Sequence, residues 1–345
     1  MTDVKKYNQL LIMLIISAMM VFGLSRVIDN SANAAYIESF IGCIFSLIVY
    51  TVIYNHNAVK NLLKSDGLIG KIICLITVFS FVLYASSFTA YLTSSVNKFF
   101  MHKSPVPYLA FFCIVPAAFG GYFGIKSVSR YASVIWITLL AATSVILILC
   151  SGDYNTDNLF PLLGNGVSRI AMGSANISLY GVILVYYVCV RDEIVTNRQI
   201  KKQIAKIILI SGTFGTAVCL AVNLLLPYQA VTYAQNPYLT IASSVKMNFL
   251  LERSEIIVLV LWIFSAFLCV SALCAGVFSI SEKMMKIKDK RGIIGAVIFI
   301  IYVLTVLIDC IGRTEMCISI SSYLLSGLSI VIPIAALIRK GVKND

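Results

Sequence analysis

The sequence predicts an all-α integral membrane protein of ten transmembrane helices in a single polytopic domain, residues 1–345. Three observations lead there. The chain is 59% hydrophobic and only 12% charged, with a mean hydropathy of +0.93, which excludes an ordinary soluble domain. Its apolar runs are about 20 residues long, enough to cross roughly 30 Å of hydrocarbon. Its basic residues sit in short loops between those runs, where they act as topology signals; the net charge of +12 therefore does not point to nucleic acid.

The first span is about Asn8–Val27, preceded by Lys5 and Lys6. Ala32-Asn33-Ala34 resembles a small-residue cleavage site, but Arg26 and Asp29 intervene and the apolar core is long for a signal peptide, so a retained helix is favoured. The second span is about Ala35–Tyr54, with Glu38 near its start. The third, about Ile72–Val96, carries Tyr84, Ser86, Ser87, Thr89, Tyr91 and Thr93. The fourth, about Pro107–Ile125, contains Pro116 and the GxxxG of Gly120 and Gly124, which reads as a close helix crossing. The fifth is about Tyr131–Cys150, and the polar loop SGDYNTDNLFPLLGNG follows it.

The sixth span lies within Ile170–Lys206. It starts in small residues, AMGSANISLYG, and ends on Arg191-Asp192-Glu193. Gly173 and Gly181 each lower helix stability by roughly 1 kcal/mol relative to Ala. Two readings are open. Such a segment can be the interrupted helix of a ligand site, or its small residues can serve close packing. The seventh span is about Ile207–Leu226, the eighth about Glu255–Ile280, the ninth about Ile293–Ile311 and the tenth about Ile318–Ile338. Between the seventh and eighth, Leu239, Val245, Phe249 and Leu250 could form the apolar face of a helix lying along the membrane surface.

Ten spans put both termini on one side. With that side cytoplasmic, about 20 of the 27 Lys and Arg fall inside and about 7 outside, the expected bias. Ten also divides into two five-helix halves of opposite orientation, about 8–150 and 170–338, with helices one and six discontinuous at the midplane. Arg26, Glu38 and Asp309 lie near the outer ends of their spans, where an interfacial place is less costly than the bilayer centre. The ten cysteines include no CxxC pair and read as buried small hydrophobes. No zinc motif, P-loop or nucleophile elbow is present, so no metal, cofactor or enzymatic activity is expected.

Four blocks carry a family resemblance: AAYIESFIG at the second span, DNLFPLLGNG before the sixth, SLYGVILVYYVCV within it, and FLLERSEIIVLVLWIFSAFLCVSAL at the eighth. On these the chain resembles the spore-germination permeases, the polytopic B subunit of nutrient germinant receptors, within the amino acid–polyamine–organocation transporter superfamily. The resemblance implies a leucine-transporter-type fold in the cytoplasmic membrane, at the spore inner membrane. It implies as partners membrane lipid, a membrane subunit with a large soluble domain, and a lipoprotein. It implies a small nutrient ligand, an amino acid, held between spans one, three, six and eight. The corresponding residues here are Ser17 and Ala18 at the break in span one, Tyr84 and Phe88 as walls, Tyr180 and Gly181 from span six, and Ser265, Leu268 and Ser271 from span eight. Tyr84 and Phe88, four apart, share a helix face. For each side chain the alternative is helix packing, or a hydroxyl bonded to its own helix. The chain departs from the family where Ser17-Ala18 replaces a glycine, where Leu24 replaces a proline, where Tyr186-Tyr187 occupies the place of a late proline, and where Val182 follows Gly181 in place of a glutamate. The last departure removes a coupling carboxylate and favours a sensing subunit or uncoupled movement; the second functional class is a proton- or cation-coupled amino acid transporter.

Overall fold

The computed structural model describes residues 2–53, 68–175, 185–186, 200–227, 230, 236–244, 254–285 and 291–342. Among these, every regular element is helical. In chain order they are α1 (Thr2–Ala18), a π-helical turn (Met19–Gly23), α2 (Leu24–Ser31), a 3-10 turn (Ala32–Ala34), α3 (Ala35–Ile53), α4 (Leu68–Phe99), α5 (Val106–Tyr122) and α6 (Ile125–Leu149). After two short 3-10 turns come α7 (Val167–Ala175), α8 (Ile200–Leu225), α9 (Pro237–Ser244), α10 (Ser254–Met285), α11 (Arg291–Ile311) and α12 (Thr314–Val342). Among the described residues, seven helical stretches are long and apolar enough to cross a membrane, with Val4–Tyr50 counted as one; Val106–Tyr122 is a shorter apolar helix. Among the described residues the predicted spans other than the sixth fall on helical segments, the first of them across α1, the π turn and α2. The sixth is described only at its start, α7, and at 185–186.

The centre of the bundle is α1 with the middle of α10: nearly every residue of Leu10–Leu24 and of Ala266–Ile280 is buried. Around them pack α4, α5, α6 and α8. The periphery is apolar instead of charged. Phe40, Ile44, Ile48, Phe79, Ile137 and Phe299 are all exposed, as expected of side chains facing hydrocarbon. This is an integral membrane protein.

The predicted GxxxG crossing is made by neighbouring glycines. A Cβ on Gly121 would lie 2.8 Å from the backbone of Ser271 and Ala275, and one on Gly120 would lie 3.0 Å from the Ser271 hydroxyl, so α5 lies directly on α10. Gly124 instead takes φ 86 and turns the chain from α5 into α6. Of the residues expected to face a surface helix, Leu239 is described: with Tyr238 and Ile241 of α9 it is buried against the bundle, and the Tyr238 and Thr143 hydroxyls are 2.9 Å apart. Val245, Phe249 and Leu250 lie outside the described residues.

The chain reverses between the first and second spans at Ala32, whose φ of 50 is unusual for a residue with a Cβ. The loop before α7 holds this turn. Asn33 donates to the carbonyls of Asn158 and Phe160, both at 2.8 Å, and Asn165 donates to the Asn30 carbonyl at 2.9 Å. Gly164, at φ 47, approaches so closely that a Cβ would stand 1.9 Å from the Ser31 carbonyl oxygen. Beneath the turn, Glu38 accepts hydrogen bonds from Asn30, at 2.7 Å, and from Ser31. Gly173 of α7 leaves the space that Glu38 fills; its Cβ would lie 2.2 Å from the carboxyl carbon. At Gly173, therefore, close packing is what the small residue serves.

Candidate functional site

Ser17, Ala18, Met19 and Met20 contain no glycine or proline, and the backbone stays helical through Ser17-Ala18. The expected discontinuity of helix one is thus corrected. The helix is unbroken there and widens one residue later into the π turn, where the Leu24 N–H donates to the Met19 carbonyl, five residues back. Such a turn disturbs the regular pairing of carbonyls, and Asn236 meets one of them: its side-chain amide donates to the Val21 carbonyl at 3.3 Å. The Asn236 side-chain oxygen also accepts from the Leu239 N–H, capping α9. Asn236 was not singled out from the sequence, although Asn before Pro at a helix start is a recognisable cap.

The α1 and α10 backbones are tied just below the π turn. The buried Ser17 hydroxyl donates to the Ser265 carbonyl at 2.9 Å, while the Ser265 hydroxyl turns back to the Trp262 carbonyl at 2.8 Å. Ala18 and Leu268 are buried in the same core. From α4, Tyr84 and Phe88 point their rings to the π turn. Phe22 meets both edge-on, with centroids 5.9 Å from Tyr84 and 6.1 Å from Phe88. Tyr84 and Phe88 are themselves 6.3 Å apart. The Tyr84 hydroxyl and the Trp262 indole N–H are buried with no hydrogen-bond partner among the described residues. A buried polar group left unpaired costs about 1–3 kcal/mol, so such groups mark places where a further hydrogen-bonding group is wanted.

The other polar residues of the third span behave differently. Ser86, Ser87, Thr89 and Thr93 each donate to the carbonyl four residues back, at 2.8 Å, and are satisfied within α4. Ser271 is placed apart from the aromatic group. It faces α5 at Gly120 and lines a groove of ≈ 340 Å³ with Tyr131, Phe264 and Phe267. Tyr180 and Gly181 lie outside the described residues. The structure thus brings Ser17, Ala18, Tyr84, Phe88, Ser265 and Leu268 into one core around the π turn and sets Ser271 on another face of α10.

Beyond Phe22 is a second cavity, of ≈ 180 Å³, which sequence reasoning did not find. It is lined by Phe22, Ser25, Arg26, Asp29, Tyr91, Glu315, Ile318 and Ser319. Arg26 lies over the Tyr323 ring, 5.0 Å from its centroid. The Ser25 and Tyr91 hydroxyls are 3.3 Å apart. Phe22 is the shared wall between this cavity and the Tyr84–Phe88 pair. Among the described residues no group of His, Cys, Asp and Glu is placed to hold a metal ion.

The chain matches the family model described as spore germination protein over residues 3–314. It belongs to the spore germination protein family. A curated relative in the family, spore germination protein KB of Bacillus subtilis (strain 168), is 23% identical over 282 residues, covering 76% of this chain and 74% of that protein. Among solved structures, one mutant of the Eremococcus coleocola manganese transporter aligns over 96% of this chain and 76% of its own, at 14% identity and a TM-score of 0.48. A second mutant of that transporter gives 13% and 0.47. Two of the blocks that mark this spore germination protein in sequence, AAYIESFIG and DNLFPLLGNG, belong to the same assembly in space, the held turn between the first two spans.

Proposed function

We propose that this chain is the nutrient-sensing membrane subunit of a spore germination receptor. It would bind an amino acid beside the π turn of helix one and pass a change of shape to a membrane subunit with a large soluble domain and a lipoprotein. The observation that carries the reading is the buried Tyr84 hydroxyl, without a partner among the described residues and walled by Phe22 and Phe88. A ligand's amino or carboxylate group would meet that hydroxyl, and the rings would take its side chain. Family membership supports a germination role, and a ten-span, five-plus-five arrangement with cytoplasmic termini would be its architectural counterpart. Ser17, Ala18, Ser265 and Leu268 would shape the floor, with Tyr180 and Gly181 supplying the sixth-span side and Ser271 a more distant contact. The site would lie in the spore inner membrane, surrounded by lipid.

The test is germination dose–response to a panel of amino acids, in spores with matched protein levels. Tyr84→Ala should enlarge the pocket and shift preference toward bulkier nutrients, one methylene being worth roughly 1–3 kcal/mol of discrimination. Gly181→Leu should abolish the response. Unchanged potency and ranking in both variants would move the site elsewhere. A nutrient response that survives deletion of the partner subunits would replace the receptor reading with that of an amino acid transporter.

A further inference from the structure

The cavity beyond Phe22 differs chemically from the aromatic core. Arg26 and Asp29, three residues apart on α2, share a helix face, and Glu315 stands opposite them in the first turn of α12. The Tyr323 ring under Arg26 holds the guanidinium at the cavity wall. One cation and two carboxylates therefore converge on ≈ 180 Å³, above an apolar floor of Phe22 and Ile318.

We propose that this cavity is an outer recognition site for a zwitterionic α-amino acid. The solute's carboxylate would meet Arg26, its ammonium group would sit between Asp29 and Glu315, and its side chain would rest on Phe22 and Ile318. The charge arrangement selects this class. A simple anion gains Arg26 but meets two carboxylates, and a simple cation gains the carboxylates but meets Arg26. A small solute carrying both charges at close spacing satisfies all three. Charged hydrogen bonds of this kind are the stronger ones, and an arginine fork suits a carboxylate. Position adds a second argument. Phe22 closes the floor of this cavity and also covers Tyr84 and Phe88, so a solute held here waits directly above the candidate inner site, separated from it by one ring. The inference rests on the reading that the nutrient is an amino acid, but not on Tyr84 binding it.

The experiment uses the full-length protein in lipid nanodiscs and equilibrium dialysis of the twenty common L-amino acids, taken singly at millimolar concentration. For the tightest binder, two analogues follow: its methyl ester, which lacks the carboxylate, and the des-amino acid, which lacks the ammonium group. The wild type should prefer the amino acid to each analogue by about tenfold or more, the effect of losing one charged hydrogen bond. Arg26→Gln should erase the preference over the ester alone, and Glu315→Gln should weaken the preference over the des-amino acid alone, Asp29 remaining in place. The analogue series on the wild type needs no variant to fold; equal binding of all three compounds would overturn the proposal. So would retention of both preferences in both variants, and so would an absence of binding by all twenty amino acids. Tyr84→Phe separates the two sites. Loss of binding in Tyr84→Phe with normal Arg26→Gln and Glu315→Gln would keep the inner site and remove the outer one, and the reverse pattern would keep the outer site alone.

Discussion

The Ser17 hydroxyl donates to the Ser265 carbonyl oxygen over 2.9 Å, joining residues 248 apart in sequence at the centre of the bundle. The acceptor is a helix carbonyl, so the bond adds to the α10 ladder without replacing part of it. Ser17→Ala should therefore lower stability modestly, by about 0.5–1 kcal/mol, the usual worth of one hydrogen bond between membrane helices. Reversible unfolding in mixed micelles measures it, and an unchanged midpoint would show that the bond contributes nothing.

Phe22 should act as the barrier between the outer cavity and Tyr84. In a background free of native cysteines, Tyr84→Cys is expected to resist a charged, membrane-impermeant thiol reagent while Phe22 is present. Adding Phe22→Ala should make the same thiol react from the outer side. Equal reaction with and without Phe22 would show that another group closes the path.

Gly164→Ala should be strongly destabilising. The glycine holds φ 47, which costs an L-residue of order 1–3 kcal/mol, and the added methyl would collide with the Ser31 carbonyl at 1.9 Å. Gly166→Ala is the control: its φ of 105 is also unfavourable, but nothing lies within 4 Å of its Cβ. The steric account expects Gly164→Ala to cut folded yield in the membrane far more than Gly166→Ala, and equal losses would reduce the effect to backbone strain.

Asp29 lies in the last turn of α2, beside the chain reversal at Ala32, and partial burial of its carboxyl followed by the charge of Glu315 raises its pKa from 3.8 to about 6. Well below pH 4 the acid is neutral in folded and unfolded chains alike, and no penalty arises. As pH rises from about 4 to about 6 the unfolded chain ionises first, so this group's contribution turns unfavourable, and above about pH 6 the penalty is complete. Asp29→Asn should remove that slope and stand above the wild type in thermal stability at pH 7. A variant equally or less stable at pH 7 would contradict the sign.

Hydropathy and loop charge made the helices legible, because a chain in lipid must satisfy its backbone internally and advertise each crossing in about twenty residues. The pairing of Tyr84 with Phe88 was legible from helical spacing. What escaped was whatever depended on a partner far along the chain. Phe22 looked like one more apolar residue until α4 supplied Tyr84 and Phe88 as its neighbours. Arg26 and Asp29 gained meaning only with Glu315 and Tyr323, nearly 300 residues later. The π turn at Met19–Gly23 was misread as a break at Ser17-Ala18, since nothing local distinguishes a widened helix from an interrupted one; Asn236 bonded to Val21 is the nonlocal sign.

The held turn between the first two spans also sets a schedule for biogenesis. Asn30 and Asn33 belong to a helical pair that leaves the ribosome early, but Asn158, Phe160 and Asn165 lie 125 or more residues downstream. At about 5–20 residues per second, the early pair must wait roughly 6–25 seconds before those groups exist. Throughout that interval it carries polar groups whose final bonds cannot yet form. Nascent chains arrested before residue 150 should accordingly remain with the insertion machinery or be degraded, and chains arrested well past residue 200 should be released from it, a difference that crosslinking to the insertion machinery and pulse–chase would resolve.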